Sequence, residues 1–177
     1  MKLVYENNPV LKAETLPFDF DQDIVDPEEL ILKMAKTMRQ ANGIGLAGPQ
    51  VGVQFKVFII DIPSIIACFN PKIIEYSEKE IILPEGCLSF PNLYMGISRP
   101  EWIEAEWQTY NGKTKTRRLS GLSGRIFQHE FDHLNGVFII DRVSPLMALQ
   151  YKKKLKEIKM NSNKSRKIRS TKESFVL

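Results

Sequence analysis

Both histidines of this 177-residue chain fall in one short stretch, QHEFDHLNG, residues 128 to 136. His129 and His133 stand four positions apart with Glu130 between them. In an α-helix, positions i and i+4 lie one above the other on the same face. A helix here therefore aims two ring nitrogens at one point and sets a carboxylate one residue round the cylinder. That is the HExxH arrangement, in which two imidazoles hold a metal and the glutamate works as a base. Asp132 falls on the far side of such a helix, free to cap or pair. The bland alternative is a coincidence of spacing, with histidines that are merely packed or exposed.

Two nitrogens leave a metal short of ligands, and the third one decides the chemistry. HExxH is commonly completed from downstream by a glutamate or histidine. No third histidine exists here, and the downstream carboxylates in question are Asp141, Glu157 and Glu173. Upstream lies LPEGCLSFP, where Cys87 is flanked by Gly86, Pro84 and Pro91 in a tight, irregular stretch. A thiolate binds metals strongly and balances more of their charge than a neutral imidazole. The other cysteine, Cys68, sits in the apolar run IIACFN and reads as a small buried hydrophobe. Two cysteines are too few for a disulfide scaffold.

Around this stretch the chain alternates short strands and separated helices without a regular βα repeat, which points to an α+β fold. DPEELILKMAKTMRQANG opens as a helix, with Asp26 as N-cap, Pro27 first, Glu28 and Glu29 in the first turn, and Gly43 placed to stop it. Ile31, Met34, Ala35 and Met38 recur at core spacing. GIGLAGPQVG has four glycines in ten residues and is an irregular loop. FKVFIID and IIACFN read as buried strands, and KIIEY with EIIL as a hairpin. EWIEAEWQT alternates, with Ile103, Ala105 and Trp107 on one face, and Asn111-Gly112 turns it into KTKTRRL. Residues 122 to 135 read as the histidine helix, stopped by Gly136, and VFIID after it as a short strand. Ser144 caps a final helix starting at Pro145. These elements predict one domain over residues 1–160 and a basic, flexible tail over 161–177.

No apolar run approaches membrane-spanning length, and the first residues lack the apolar core of a secretory signal, so a cytoplasmic location is expected. The net charge of +4 hides an asymmetry. Residues 151 to 177 carry 10 Lys or Arg against two Glu, whereas residues 1 to 150 carry 15 against 19 acidic groups. Such a tail either touches nucleic acid or is a solvated helix end.

Three segments, GIGLAGPQ (43–50), EGCLS (85–89) and QHEFDHLNG, resemble in order and spacing the three signature motifs of the peptide deformylase family. The resemblance implies a central HExxH helix surrounded by antiparallel β-strands, with N-terminal and C-terminal helices. It implies removal of the formyl group from N-formylmethionine at the start of nascent chains, with release of formate. It assigns Cys87, His129 and His133 as metal ligands, Glu130 as acid and base, and Gln50 with the backbone N–H of Leu88 as donors to the oxyanion. Three protein ligands leave a fourth position for water, which the metal acidifies. The substrate is expected to meet Gly43, Ile44, Gly45, Leu83, Glu85, Leu122 and Ile126, with the glycine loop pairing with an extended peptide. Fe²⁺ is the implied ion, one per chain, and Zn²⁺, Ni²⁺ or Co²⁺ are substitutes. A monomer is expected, with the basic C-terminal helix and tail docking on the ribosome. One departure is visible: position 48 is Gly where the family usually has Ala, which would loosen the loop beside Gln50. The residues just before the histidines, Arg125 among them, vary in the family.

Two other readings compete. A zinc endopeptidase using HExxH requires a carboxylate or histidine third ligand, and EGC and Gln50 count against it. A structural metal module with an RNA-binding tail requires a closed four-ligand site, and only three good ligands are present. The ligand assignment makes one sharp expectation. Cys87→Ala loses the metal, whereas Cys68→Ala keeps one divalent ion per chain, as elemental analysis of the purified variants would show; the opposite pattern overturns the assignment.

Overall fold

Alternation along the five-residue run VFIID at 57–61 decides where both cores form. It belongs to the unit Met1–Ile139, one of two into which the chain divides, the other being Ile140–Leu177. The computed structural model describes residues 1–22, 25–151 and 153. In order, the first unit contains α1 (Pro27–Gln40), β1 (Gly45–Ala47), β2 (Val57–Asp61), β3 (Ile65–Tyr76), β4 (Glu80–Cys87), β5 (Phe90–Pro100), β6 (Trp102–Gln108), β7 (Thr114–Ser120) and α2 (Gly121–Leu134). One antiparallel sheet runs β1-β2-β3-β6-β7, and β4 and β5 pair separately as a second, two-stranded sheet.

Successive side chains of β2 point to opposite faces of the sheet. Val57 and Ile59 join Leu30, Met34 and Met38 of α1 in one buried cluster. Phe58 and Ile60 join Ile126, Phe127 and Leu134 of α2 in the other. Phe58 meets Phe127 edge to face, ring centres 4.9 Å apart. The sheet is thus covered by α1 on one face and by the histidine helix on the other, and α2 occupies the centre as expected. Ile103, Ala105 and Trp107 of β6 are all buried, as their alternation predicts. Cys68, paired across from Phe58, is wholly buried, and burial raises its thiol pKa well above the ordinary value. It is the inert hydrophobe that its apolar run implies.

The start of α1 follows its sequence signals: Asp26 Oδ1 accepts the N–H groups of Glu28 and Glu29 at 2.8 and 3.4 Å. Its end differs slightly, because Asn42, not Gly43, takes the left-handed conformation (φ 56°) while Gly43 N–H bonds to Met38 O at 2.9 Å. Two strand expectations are corrected. KIIEY and EIIL do not pair: KIIEY continues the twelve-residue β3 alongside β6, and EIIL starts β4 alongside β5. The chain changes sheets at Ser77, whose N–H bonds to Trp102 O and whose hydroxyl bonds to Lys79 O. VFIID after the histidine helix is not a strand, since a 3₁₀ turn spans Ile139–Arg142. Gly136 there is left-handed (φ 67°) and Val137 N–H returns to Asp132 O, which curls the chain back onto the helix end.

In the second unit residues 145 to 151 are helical, and the Ser144 hydroxyl accepts the Met147 N–H at 3.4 Å. The rest of the expected final helix, the boundary at 160 and the tail 161–177 lie outside the described residues. Among those described, no helix is long and apolar enough to cross a membrane.

Candidate active site

Helix α2 presents His129 and His133 on the face turned away from the sheet, toward the end of β4. Cys87 closes β4 just before the Leu88-Ser89 turn into β5. A register shift between Gly86 and Cys87 re-aims that last residue. The Cys87 Sγ lies 3.2 Å from His133 Nε2, and one donor atom from each of Cys87, His129 and His133 falls within 4.8 Å of the others. Among the described residues this is the one cluster of three such donors, and all three side chains are buried. Asp141, a downstream alternative from the sequence, is not part of it.

The donor set passes a chemical test for a metal: one soft thiolate and two imidazoles of a borderline ion's preferred type. Orphaned atoms agree. Glu130 Oε2 is buried without a protein hydrogen-bond partner, which is costly unless another polar group meets it. His129 has its Nδ1 committed to Glu85 Oε2 at 2.9 Å, so its Nε2 is the atom left for a metal.

Glu85 is the anchor beneath this arrangement. Its Oε1 accepts from Arg99 Nε at 2.7 Å and from Arg125 Nη1 at 3.0 Å, and its Oε2 accepts from Arg99 Nη2 at 3.0 Å. Arg99 Nη1 also reaches Asp132 at 2.7 Å. Asp132 therefore pairs, but on the side of His129 and not on the far side, since i and i+3 share a helix face and one guanidinium serves both Asp132 and Glu85. Burial pushes Glu85 up, but the hydrogen bonds from His129 and Arg99 outweigh it and bring its pKa down to about 2. Burial also opposes a charge on His129, yet Cys87 and Glu85 raise it to about 10. His133 moves the other way, held well below its usual value by burial and by the charges of His129 and Arg99. A metal at His129 therefore competes with a proton. Glu130 is raised to about 7, first by burial.

Gln50 arrives from the glycine loop, in a 3₁₀ turn over Gly48–Val51. Its Oε1 accepts the Ala47 N–H at 2.9 Å, which turns its NH₂ group toward Cys87 Sγ (3.6 Å) and Ser89 Oγ (3.2 Å). The loop is not loosened at position 48: a Cβ on Gly48 would sit 2.7 Å from Val53 O and 3.0 Å from Phe55 O. Backbone of residues 53 to 55 fills that space. At Gly45 an added Cβ would run into the Glu130 carboxylate and lie 2.7 Å from Ile126. This glycine thus admits its segment against the histidine helix itself.

A cavity of about 600 Å³ opens onto the cluster, walled by Gly43, Ile44, Gly45, Leu88, Leu122 and Ile126 with Gln50, His129 and Glu130. Ile44 and Leu122 are half-exposed and Ile126 is buried. Leu83, expected among the lining residues, does not reach it. Glu85 touches the cavity, but both its oxygens are bonded to the arginines and His129. Arg99 and the buried Ser89 escaped the sequence reading. Arg99 had a signal: it follows Leu93, Met95 and Ile97 on the inward phase of β5, where a charge needs a buried partner.

A helical HExxH completed by an upstream cysteine, opening on a cavity in an α+β fold, has the make-up of a metal-dependent hydrolase. Polypeptide deformylase is the family whose model matches residues 1–148. The peptide deformylase of Thermotoga maritima is 40% identical over 153 residues, covering 85% of this chain and 92% of that one. The crystal structure of peptide deformylase from the same organism superposes with a TM-score of 0.77 at 38% identity, over 81% of this chain and 97% of that one. Arabidopsis thaliana peptide deformylase 1B, solved with an inhibitor, gives 0.82 at 31% identity, over 93% of each. The chain belongs to the polypeptide deformylase family.

Gly45→Ala tests the close approach of loop and helix. The added methyl displaces the Glu130 carboxylate, so turnover is expected to fall at least about tenfold with metal retained and stability lowered by about 1–3 kcal/mol. Metal content, thermal unfolding and rate on one preparation check this, and an unchanged rate would show that the loop yields instead.

Proposed function

We propose that Cys87, His129 and His133 hold one divalent metal and that Glu130 moves the protons in hydrolysis of the formyl amide of N-formylmethionine. The chain is a deformylase, which removes the formyl group from nascent polypeptides and releases formate. The observation that carries the residue assignment is the His₂Cys cluster beside a buried glutamate with one unpartnered oxygen, at the inner end of the cavity.

When bound, a divalent ion supplies Lewis acidity, polarising the formyl carbonyl and bringing the pKa of water toward neutrality. Glu130 takes the proton from the attacking water and returns it to the departing methionine nitrogen. Burial raises the Glu130 carboxyl in the metal-free site, and a carboxyl so raised both accepts and returns a proton more readily near neutral pH. Negative charge growing on the formyl oxygen meets the Gln50 NH₂ group and the Leu88 N–H. Gln50 is preorganised for this by its bond from Ala47. Ile44, Leu122 and Ile126 form the apolar walls for the methionine side chain, and Gly43 and Gly45 leave backbone close to an extended peptide.

The ion is Fe²⁺ in this reading, with Zn²⁺, Ni²⁺ or Co²⁺ as substitutes that the same His₂Cys set accepts. The enzyme works as a monomer in the cytoplasm, where formylated chains emerge. Its basic residues 151 to 177, at +8, bring it to the ribosome's RNA surface. An endopeptidase reading loses ground because the third donor is a thiolate rather than a carboxylate or imidazole.

Glu130→Gln is expected to keep metal and fold yet lose nearly all formate release from a formyl-Met peptide, since an amide cannot shuttle a proton. Gln50→Ala lowers turnover by about 10²–10³-fold, the typical cost of one oxyanion donor. Near wild-type rates in either, at matched metal content, would remove that residue from the mechanism. Replacing Lys152, Lys153, Lys154, Lys156 and Lys159 with Gln weakens ribosome binding and its salt dependence while turnover on a free peptide stays unchanged. Ribosome binding at low salt as tight as wild type would refute the tail's role.

A further inference from the structure

Arg125 is buried on the metal-facing side of α2, one turn before His129, and its guanidinium joins three elements. Nη1 donates to Glu85 Oε1 at 3.0 Å and to Ile97 O at 2.9 Å, and Nη2 donates to Ile81 O at 2.7 Å. Ile81 lies on β4 and Ile97 on β5, so one side chain grips both strands of the sheet that ends in Cys87. We infer that Arg125 is a positioning residue of the metal site, acting through Glu85 to hold His129 turned toward Cys87. This rests on the metal-binding role proposed above for the two residues.

Two observations carry the inference. The first is direction of grip. Arg99 reaches Glu85 from β5, through Nε and Nη2, and Arg125 reaches it from α2. A carboxylate held from one element can swing with that element, whereas one held from two is fixed relative to both. Its Oε2 then stays 2.9 Å from His129 Nδ1, which fixes the ring's orientation and leaves Nε2 for the ion. The second is charge. Glu85 and Asp132 are both buried, and Arg99 bonds to each of them. Arg99 divides its guanidinium between these two carboxylates, and Arg125 adds a second guanidinium beside Glu85. Neither function needs contact with substrate, although Arg125 also lines the cavity.

The test compares wild type with Arg125→Met and Arg125→Lys in titrations of the metal-free proteins with Co²⁺, following the thiolate-to-cobalt and d–d absorption bands. Wild type is expected to bind one Co²⁺ with a four-coordinate spectrum. Arg125→Met is expected to bind about 10–100-fold more weakly, the usual effect of losing a partner behind a ligand, with altered d–d bands. Arg125→Lys keeps the charge but not the fork and recovers part of the affinity. Because Arg125 acts through Glu85, Arg125→Met added to Glu85→Gln should cost little more than Glu85→Gln alone. With metal saturating, kcat falls and KM for a formyl-Met peptide holds. Unchanged Co²⁺ affinity with only a lower unfolding temperature would reduce Arg125 to a structural strut and overturn the inference. So would a raised KM with unaltered Co²⁺ binding, which marks direct substrate contact. If Arg125→Met fails to fold, Arg125→Lys and the Glu85→Gln pair decide by the same readings. A wild-type protein that takes up no Co²⁺ would instead fail the metal assignment itself.

Discussion

The carboxylate of Glu85 is the group on which the rest of the site depends. It is almost wholly buried, and the cost of taking a carboxylate out of water is several kcal/mol even after relaxation. Its two oxygens receive four charge-assisted or polar hydrogen bonds, from Arg99, Arg125 and His129. These contacts stitch β4 and β5 to α2. Removing one partner would leave the others as unpaired charges in a dry interior, which is why such a network specifies one geometry rather than merely adding stability.

The large sheet solves a different problem, that of burying a helix which itself carries polar chemistry. Phe127, Ile126 and Leu134 commit one stripe of α2 to the sheet, against Phe58, Ile60 and Cys68. With that stripe anchored, the rotation of the helix is set, and the stripe bearing Arg125, His129 and His133 has no choice but to face the end of β4. The glycine loop then closes the other side. It is not irregular throughout: Gly45–Ala47 form β1, which pairs with β2 in the same sheet and runs into the 3₁₀ turn that carries Gln50, so Gln50 and Glu130 are positioned from one scaffold.

Periodic and motif-bearing parts of the chain were legible in the sequence. The spacing of His129 and His133, the cap at Asp26 and the alternation in β6 each express a local rule, and the structure follows them. The centre of the fold came through the resemblance rather than through periodicity. What escaped were choices made by partners distant in sequence. KIIEY and EIIL look like a hairpin because both are apolar and adjacent, but each finds a longer partner: KIIEY pairs with β6, from Lys72 with Glu106 to Tyr76 with Ile103, and EIIL with β5, from Glu80 with Pro100 to Leu83 with Ile97. VFIID at 137–141 has a strand's composition, and the curl imposed by Gly136 and the bond from Val137 to Asp132 overrides it. The bonds of Glu85 to Arg99, Arg125 and His129 are likewise tertiary, and EGCLS carries no local sign of them.

The bonds of Glu85 also bear on why the proposed third ligand is a cysteine on a β-hairpin. A carboxylate there would be the third beside Glu85 and Glu130, in a region where burial already raises Glu130. A thiolate contributes its charge on a large, weakly hydrated atom that is cheaper to bury, and it needs fewer hydrogen bonds to stay there. It also ends a strand, so the next residue turns. The turn places the Leu88 N–H directly after the ligand and Ser89 against the Gln50 amide. One short hairpin end thereby carries the proposed ligand, the Leu88 N–H and the hydroxyl that meets Gln50, and the spacing of EGCLS follows from that economy.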